Sequence, residues 1–205
     1  MPPVTKMSGF VILLAVALRL AAQEPQQQLN PNVAGDQTPT FGTTVVANSG
    51  FRGEIYLLPP GTRRLPNFSR LKPVGAIYTP CLNVPWHSFA AGFPGVTDRF
   101  EWFAIDYTGR FWISKPGIYR FALASDDGSI LYIDGRELVQ NDGVHAILEK
   151  TGEVDLTAGA HTIRVSYFQG PRFQVALILR VAGPEEEKFR IFQADDFKPP
   201  ADAQW

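Results

Sequence analysis

The chain has 205 residues, of which 45% are hydrophobic, and its 19 Lys and Arg against 20 Asp and Glu leave a formal net charge of -1 at pH 7. This length and apolar content suit one domain with additional segments at its ends. Because opposite charges nearly balance, no global field attracts nucleic acid or an anionic membrane surface, and neither is expected as a partner. The one cysteine, Cys81, excludes an intramolecular disulfide.

The N-terminal segment, residues 1–22, has the pattern of an export signal. Lys6 supplies a positive charge, residues 10–18 form an unbroken apolar run, and small residues follow at 21–22. The run is shorter than the about 20 apolar residues that a membrane-spanning helix needs. We therefore predict an exported protein (secreted, periplasmic or at the cell surface) with no membrane span in the mature chain. An uncleaved N-terminal membrane anchor is the alternative.

Two segments at the ends of the chain differ from the rest in composition. Residues 23–50 are rich in Gln, Asn and Pro, have few apolar residues and show no period, which predicts a disordered linker. Residues 185–205 form a C-terminal tail that opens with acidic residues and ends in prolines. Between these, Phe189, Ile191 and Phe192 could add a short edge strand to the domain.

The central segment, residues 51–184, has the pattern of an almost wholly β domain. The 18 glycines and 17 prolines fit many short strands joined by turns, and no segment shows a sustained helical period. Asp134-Gly135 is a strong signal for a two-residue hairpin turn. Many short strands at even spacing predict an antiparallel β-sandwich or distorted barrel. The candidate strands are residues 52–58, 75–78, 118–125, 129–133, 136–140, 161–168 and 173–181.

A further hairpin is predicted within residues 103–113. Residues 108–110, Thr-Gly-Arg, have the length and the glycine of a three-residue hairpin loop. Period-two alternation places five apolar side chains on one face: Phe103, Ile105, Tyr107, Phe111 and Ile113.

The chemistry of the chain centres on Asp126 and Asp127, side by side in a Ser-Asp-Asp-Gly turn. Calcium takes six to eight oxygen ligands and tolerates irregular geometry, so carboxylates on a loop suit it. Adjacent residues of a regular strand point to opposite faces, so both carboxylates reach one ion only if the backbone between them is unusual. The alternative is a solvated acidic turn in which Asp126 accepts backbone N–H groups and Gly128 supplies a positive φ. Both interpretations stay open.

Five short motifs follow one another in the central segment: Gly-x-Tyr-x-Phe at 117–121, Ser-Asp-Asp-Gly at 125–128, Leu-x-Ile-Asp-Gly at 131–135, Asn-Asp-Gly-Val-His at 141–145 and Tyr-Phe-Gln-Gly at 167–170. Their order, from about Phe51 to about Pro184, resembles the PA14 family, lectin-like domains named after the fourteen-kilodalton fragment of anthrax protective antigen. The resemblance implies a β-sandwich and a carbohydrate-binding function. It also implies, from the fungal flocculin branch, a cis peptide between Asp126 and Asp127, with a calcium ion that holds sugar hydroxyls.

The chain departs from the flocculin pattern at the loop between its two late strands. That branch supplies an asparagine side chain and backbone carbonyls to calcium there, whereas residues 169–172 are Gln-Gly-Pro-Arg. Gln169 could offer an amide oxygen and Gly170 a carbonyl oxygen, and we include both with the two aspartates as metal-ligand candidates. Both are weaker ligands than a carboxylate.

Three other residues complete the predicted ligand site: Asn141 and His145 in the motif after the Asp134-Gly135 hairpin, and Arg172 at the tip of the late loop. Trp86, Trp102, Trp112 and Phe173 are candidate platforms for a sugar ring.

The sequence contains no Gly-x-Ser-x-Gly elbow, His-Glu-x-x-His pair or phosphate loop, and adjacent aspartates do not suit a glycosidase. We therefore predict a non-catalytic glycan-binding domain, with Ca²⁺ as a possible cofactor. A structural or protein-interaction domain is the alternative.

Overall fold

The structure is a computed structural model that describes residues 50–96 and 101–203. The predicted signal segment, residues 1–22, and the predicted linker up to residue 49 lie outside the described residues. The strands are β1 Gly50–Leu57, β2 Gly75–Thr79, β3 Asn83–Ser88, β4 Phe103–Ile113, β5 Gly117–Asp126, β6 Ser129–Ile133, β7 Arg136–Asn141, β8 Leu148–Leu156, β9 Gly159–Gln169, β10 Gln174–Ala182 and β11 Arg190–Ile191. The helical segments described are short 3-10 helices at Phe68–Arg70, Phe89–Ala91 and Ala194–Phe197.

The strands form two antiparallel sheets, which confirms the predicted all-β class. One sheet has the order β2-β1-β4-β9-β6-β7. The other has the order β11-β10-β5-β8, with β3 also paired to β10. A single apolar core contains residues from both sheets, including Tyr107 and Val165 from the first and Phe121 and Leu177 from the second. This is the two-layer architecture of a β-sandwich.

The predicted hairpin within residues 103–113 is wrong, because these residues form one continuous strand. β4 is 11 residues long and pairs with β9 from Phe103 opposite Gln169 to Ile113 opposite Gly159. Gly109 lies within the strand and not in a turn. Its missing side chain lets β1 approach closely, since a Cβ at Gly109 would lie 2.8 Å from the carbonyl oxygen of Gly50 in β1. The predicted inward face is nevertheless confirmed: Phe103, Ile105, Tyr107, Phe111 and Ile113 are all buried.

Other local predictions agree with the structure. Asp134 and Gly135 have φ values of 49° and 74°, so both adopt the left-handed conformation that a type I′ turn requires between β6 and β7. The C-terminal tail does add an edge strand, since β11 pairs with β10. Phe192, which follows β11, is buried in the core.

Within residues 50–96 and 101–203, no helix has the length and apolar character needed to cross a membrane.

Candidate functional site: the double-aspartate turn

The double-aspartate turn joins the two sheets at one end of the sandwich. Asp126 is the last residue of β5, and β6 begins two residues after Asp127. The peptide bond between the two aspartates is cis, as the resemblance implies. Both side chains are nearly inaccessible to solvent, at 6% exposed for Asp126 and 4% for Asp127. The turn is therefore not a solvated acidic turn.

Asp127 is held by nitrogen donors from two loops. The backbone N–H of His145, in the loop between β7 and β8, donates to Asp127 Oδ1 at 3.1 Å. The backbone N–H of Gly170, in the loop between β9 and β10, donates to Asp127 Oδ2 at 2.8 Å, and Gln169 Nε2 lies 3.3 Å from the same oxygen. These contacts fix the orientation of the carboxylate and bring both loops to the turn.

Asp126 has fewer partners than Asp127. Its carboxylate accepts a hydrogen bond from the backbone N–H of Ile147, and its carbonyl oxygen accepts one from the Tyr167 hydroxyl at 2.8 Å. Burial, followed by the charge of Asp127, raises the pKa of Asp126 to about 6. Burial also raises the pKa of Asp127. In the described part of the chain, no Lys or Arg forms an ion pair with either carboxylate.

Gln169 and Gly170 are at the site, but the oxygens predicted as metal ligands are engaged elsewhere. Three oxygen acceptors surround Gln169 Nε2, so the amide presents its nitrogen to Asp127. Its Oε1 lies 2.6 Å from the Tyr167 hydroxyl, whose one proton is shared between this oxygen and the carbonyl oxygen of Asp126. The carbonyl oxygen of Gly170 accepts from the backbone N–H of Trp102 at 3.3 Å. These orientations give the predicted ligand roles of Gln169 and Gly170 no support.

Asn141 is fully buried and has an unused acceptor close to the turn. Its Nδ2 donates to the carbonyl oxygen of Leu148 at 2.9 Å and to the hydroxyl of Ser125, the residue before Asp126, at 3.2 Å. Its Oδ1 is buried and has no hydrogen-bond partner among the described residues. A buried amide oxygen without a donor is unusual, and it fits a site that takes a further electropositive group.

His145 contributes through its backbone and fixes its own loop through its ring. Its two ring nitrogens lie 2.9 Å from the carbonyl oxygens of Ala146 and Asn141. The ring is thus engaged within the β7–β8 loop, and the contact of His145 with the turn is the N–H bond to Asp127.

Gly128 is required at the turn for space. Its φ is not positive, which differs from the expectation for an acidic turn. A Cβ at Gly128 would lie 2.4 Å from Phe168 Cε1, 2.7 Å from the backbone nitrogen of Gly143 and 2.9 Å from Asp142 Oδ1. The absent side chain lets the β7–β8 loop close against the turn.

The exposed groups near the turn come from the β9–β10 loop and from β3. Phe173 is 78% exposed and Trp86 is 48% exposed, and Arg172 is exposed with its backbone N–H donating to Glu101 Oε2 at 3.2 Å. Trp102, in contrast, packs into a small apolar cluster on the other face of the six-stranded sheet. Of the four candidate sugar platforms, Phe173 therefore exposes the most surface beside the turn.

The oxygen atoms gathered at the turn are of the kind that ligate a hard cation. It consists of two buried carboxylates and the free Asn141 Oδ1, all oxygens, which is the chemistry that calcium prefers. Among residues 50–96 and 101–203, no group of three or more Asp, Glu, His or Cys side chains gathers at one point. Any ion here would thus need some ligands that are not ionisable side chains.

Comparisons with known proteins show where this fold recurs. Residues 73–193, more than half of the chain, match the sequence profile of the PA14 domain. No curated protein sequence matches the chain.

Solved structures with similar folds include adhesin domains. A PA14 sugar-binding domain from an RTX adhesin has a TM-score of 0.58 and 18% identity, with 73% of this chain and 97% of that chain covered. The epithelial adhesin 9 A domain of Candida glabrata, in complex with Galb1-3GlcNAc, has a TM-score of 0.52 and 16% identity over 73% of this chain and 88% of that one.

An anti-sigma factor domain-containing protein matches 76% of this chain with a TM-score of 0.57 and 22% identity, and the match spans 50% of its own length. At these identities the likeness concerns the fold. Together with the family match, it shows that the chain belongs to the PA14 domain family and has the antiparallel β-sandwich that the sequence resemblance implied.

Proposed function

We propose that this chain is an exported, non-catalytic carbohydrate-binding domain whose site is centred on Asp126 and Asp127 and is assisted by Ca²⁺. The observation that carries the proposal is the pair of adjacent buried carboxylates to which no described Lys or Arg brings a compensating charge. Burying two like charges together is costly unless a cation joins them. A bound cation would remove that cost.

Asp126, Asp127 and Asn141 Oδ1 are the groups that would hold the ion. Calcium, when bound, would supply a positive centre that accepts sugar hydroxyl oxygens as further ligands. The chain's own contribution is to hold the carboxylates in place. The backbone N–H groups of His145 and Gly170 do this for Asp127, and that of Ile147 does it for Asp126.

The β9–β10 loop offers the surface that a sugar would meet. Phe173 presents a flat apolar face of the kind that packs against a pyranose ring, and it is 78% exposed. Arg172, next to it, carries hydrogen-bond donors suited to hydroxyl or carboxylate oxygens. Because Gly170 of the same loop donates to Asp127, the loop and the carboxylates form one site.

A glycan is the proposed ligand because two proteins with this fold are associated with sugars. One is described as a sugar-binding domain, and the other was solved with a disaccharide bound. A non-catalytic role is supported by the position of the two acids, since glycosidase carboxyls face each other about 5–9.5 Å apart across the substrate. Neighbouring aspartates on one turn do not provide that arrangement.

A glycan array tests the proposal. The chain should capture a subset of glycans with calcium present and lose them in EDTA. Asp126→Asn should reduce capture at least about tenfold, because it removes one of the charges that hold the ion. Asp155→Asn is the matched control, because Asp155 is an exposed acid of β8 and its replacement changes the net charge equally. No glycan capture with or without calcium would favour a structural or protein-interaction domain instead, and capture that is indifferent to EDTA and to Asp126→Asn would contradict the calcium-assisted site.

A further inference from the structure

The connection between β1 and β2 is a basic surface segment. We call residues 58–74 the basic strap. It carries Arg63, Arg64, Arg70 and Lys72 and contains no Asp or Glu, although the chain as a whole has a net charge of -1. Positive charge is thus concentrated in one short stretch.

The spacing of apolar residues in the strap fixes which side chains face solvent. Leu65, Phe68 and Leu71 recur at every third position and pack against a small apolar cluster formed by Tyr56, Leu58, Ala104 and Phe168. Tyr56 and Ala104 alternate with Ile55 and Ile105 of the main core, so this cluster lies on the outer face of the six-stranded sheet. Arg63 and Arg64 precede the first anchor, Arg70 lies between the second and third, and Lys72 follows the third; all four are exposed.

Hydrogen bonds and ring contacts hold the strap in one conformation. Asn67 caps its 3-10 helix by accepting from the backbone N–H of Ser69 at 3.1 Å. The Phe68 ring lies 5.0 Å from the Tyr56 ring and 5.6 Å from the Arg164 guanidinium. Preorganised charges lose less conformational entropy when they bind than charges on a mobile loop.

The four basic side chains are unpaired within the described part of the chain. Other surface cations have acidic partners, such as Lys115 with Glu185 and Arg190 with Asp196, but no such ion pair involves the strap. The acid that touches the strap is Asp142, whose Oδ1 accepts from the backbone N–H of Leu65 at 2.9 Å. The side chains are therefore available to an anion from outside.

The strap also borders the double-aspartate turn. Asp142 Oδ1, which accepts from Leu65, lies 2.9 Å from where a Cβ of Gly128 would be. Trp102 packs with the strap anchors, and its Cζ3 lies 3.5 Å from where a Cβ of Gly170 would be. Arg63 and Arg64 directly precede Leu65 in the chain, so the strap approaches the turn beside these two residues.

We propose that the basic strap is an anion-binding surface for an acidic polysaccharide, one that bears carboxylate or sulfate groups. Arg guanidinium groups match such oxyanions in bidentate geometry. The choice of a polysaccharide rests on the proposed function, because the strap adjoins the site assigned to a glycan. Duplex DNA and anionic membranes offer similar charge and are separated from it by the test below.

Binding of the full chain to immobilised dextran sulfate and to polygalacturonate, with neutral dextran as reference, tests the proposal. All measurements are made in EDTA, so that the double-aspartate site makes no calcium-dependent contribution. We expect both acidic polymers to bind and neutral dextran not to bind, with binding that weakens as NaCl is raised. Arg63→Ala with Arg64→Ala should weaken binding by roughly fivefold to tenfold at low salt.

The matched control is Arg136→Ala with Lys188→Ala. These exposed cations follow β6 and β10 at the ends of those strands away from the turn, and their removal changes the net charge equally. Equal loss in both double variants, or no binding of either acidic polymer, would overturn the proposal. Binding of duplex DNA or phosphatidylserine vesicles as tight as that of the polymers would overturn it as well.

The proposed function is tested separately by the same proteins. Calcium-dependent glycan capture, compared between Asp126→Asn and Asp155→Asn, is the separate readout of the proposed function. If that capture responds as proposed while the strap variants bind the acidic polymers as tightly as the wild type, only the strap proposal is lost. If the strap variants respond while calcium-dependent glycan capture is absent, only the proposed function is lost.

Discussion

Asp126 and Asp127 are neighbours with different surroundings, and this difference predicts opposite responses to the same substitution. Asp127 accepts from N–H donors at both of its oxygens, whereas Asp126 accepts one backbone N–H. An asparagine at 126 can keep that hydrogen bond through its remaining oxygen. An asparagine at 127 must place an NH₂ group against a donor in either orientation.

We therefore expect Asp127→Asn to lower the free energy of unfolding by about 1–3 kcal/mol, the usual cost of leaving a buried donor without an acceptor. Chemical denaturation in EDTA at pH 8 measures this. Asp126→Asn is the matched comparison, since it removes the same charge from the same turn. Equal stability of the two variants would contradict the hydrogen-bond assignment at Asp127.

The pKa of Asp126 predicts a pH dependence of stability without calcium. Burial and the charge of Asp127 raise that pKa to about 6, above the usual value of 3.8. The folded protein therefore binds the proton more tightly than the unfolded chain does, and the stability from this group is lost as pH rises from about 4 to about 6. The Asp126→Asn variant lacks the titrating group, so its stability should not fall in this way as the pH rises.

In EDTA, Asp126→Asn should be closer in melting temperature to the wild type at pH 4.5 than at pH 8, where it should exceed the wild type by about 2–6 °C. Differential scanning calorimetry at both pH values measures the gap. Asp155→Asn, which changes an exposed acid, should show no such gap at either pH. A wild type more stable than Asp126→Asn at pH 8 would mean that the buried carboxylate is favourable without a cation.

At the scale of strands, alternation of apolar residues predicted most of the sandwich, because most of its strands have one face in the core. It failed for β8, whose residues are mostly exposed, and for β3, an edge strand that contains Pro85. It also misassigned Gly109 as a turn residue. Gly109 is compatible with a turn by itself, and only the position of β1 shows that it lies within a strand.

Only the part of the site that is local in sequence was predictable. Two adjacent acids next to a glycine are visible in the sequence, as is the Asn-Asp-Gly-Val-His motif. The backbone N–H donors to Asp127, the orientation of the Gln169 amide and the Tyr167 hydroxyl beneath the turn depend on long-range packing. Serines at 125 and 129, which hydrogen-bond to each other in buried strands, were a signal that could have indicated a polar network.

Gly109 gives a direct test of the continuous β4 strand. A Cβ at Gly109 would lie 2.8 Å from a backbone oxygen of β1, so Gly109→Ala should cost about 1–3 kcal/mol of stability. Gly75→Ala in β2 is the control, because its nearest neighbour would be 3.9 Å away. Urea denaturation compares the two. A Gly109→Ala variant as stable as Gly75→Ala would be compatible with the exposed turn and not with the strand.

At the scale of the whole molecule, the C-terminal tail is part of the sandwich. The Phe192 ring stacks on Phe197 with centroids 4.8 Å apart and contacts Phe51 of β1 and Phe121 of β5, so it joins the two sheets. The predicted domain of residues 51–184 ends before this ring, and the family match continues to residue 193.

Phe192→Ala should therefore lower the free energy of unfolding by about 3–5 kcal/mol, as expected for a buried aromatic in a core. Phe189→Ala is the control, because Phe189 is half-buried and lies under Arg120 at the surface, and it should cost about 1 kcal/mol. Thermal unfolding of both variants measures the difference. If removal of all residues after 184 left stability unchanged, the tail would not belong to the core.

The central claim is that the buried carboxylate pair exists to hold a cation, and calorimetric titration of Ca²⁺ into the EDTA-treated and desalted full chain tests it most directly. We expect one saturable site at pH 7.5, at least about tenfold weaker binding at pH 5 where Asp126 is largely protonated, and a similar loss in Asp126→Asn but not in Asp155→Asn. No heat of binding at pH 7.5, or equal binding by Asp126→Asn and Asp155→Asn, would contradict the claim.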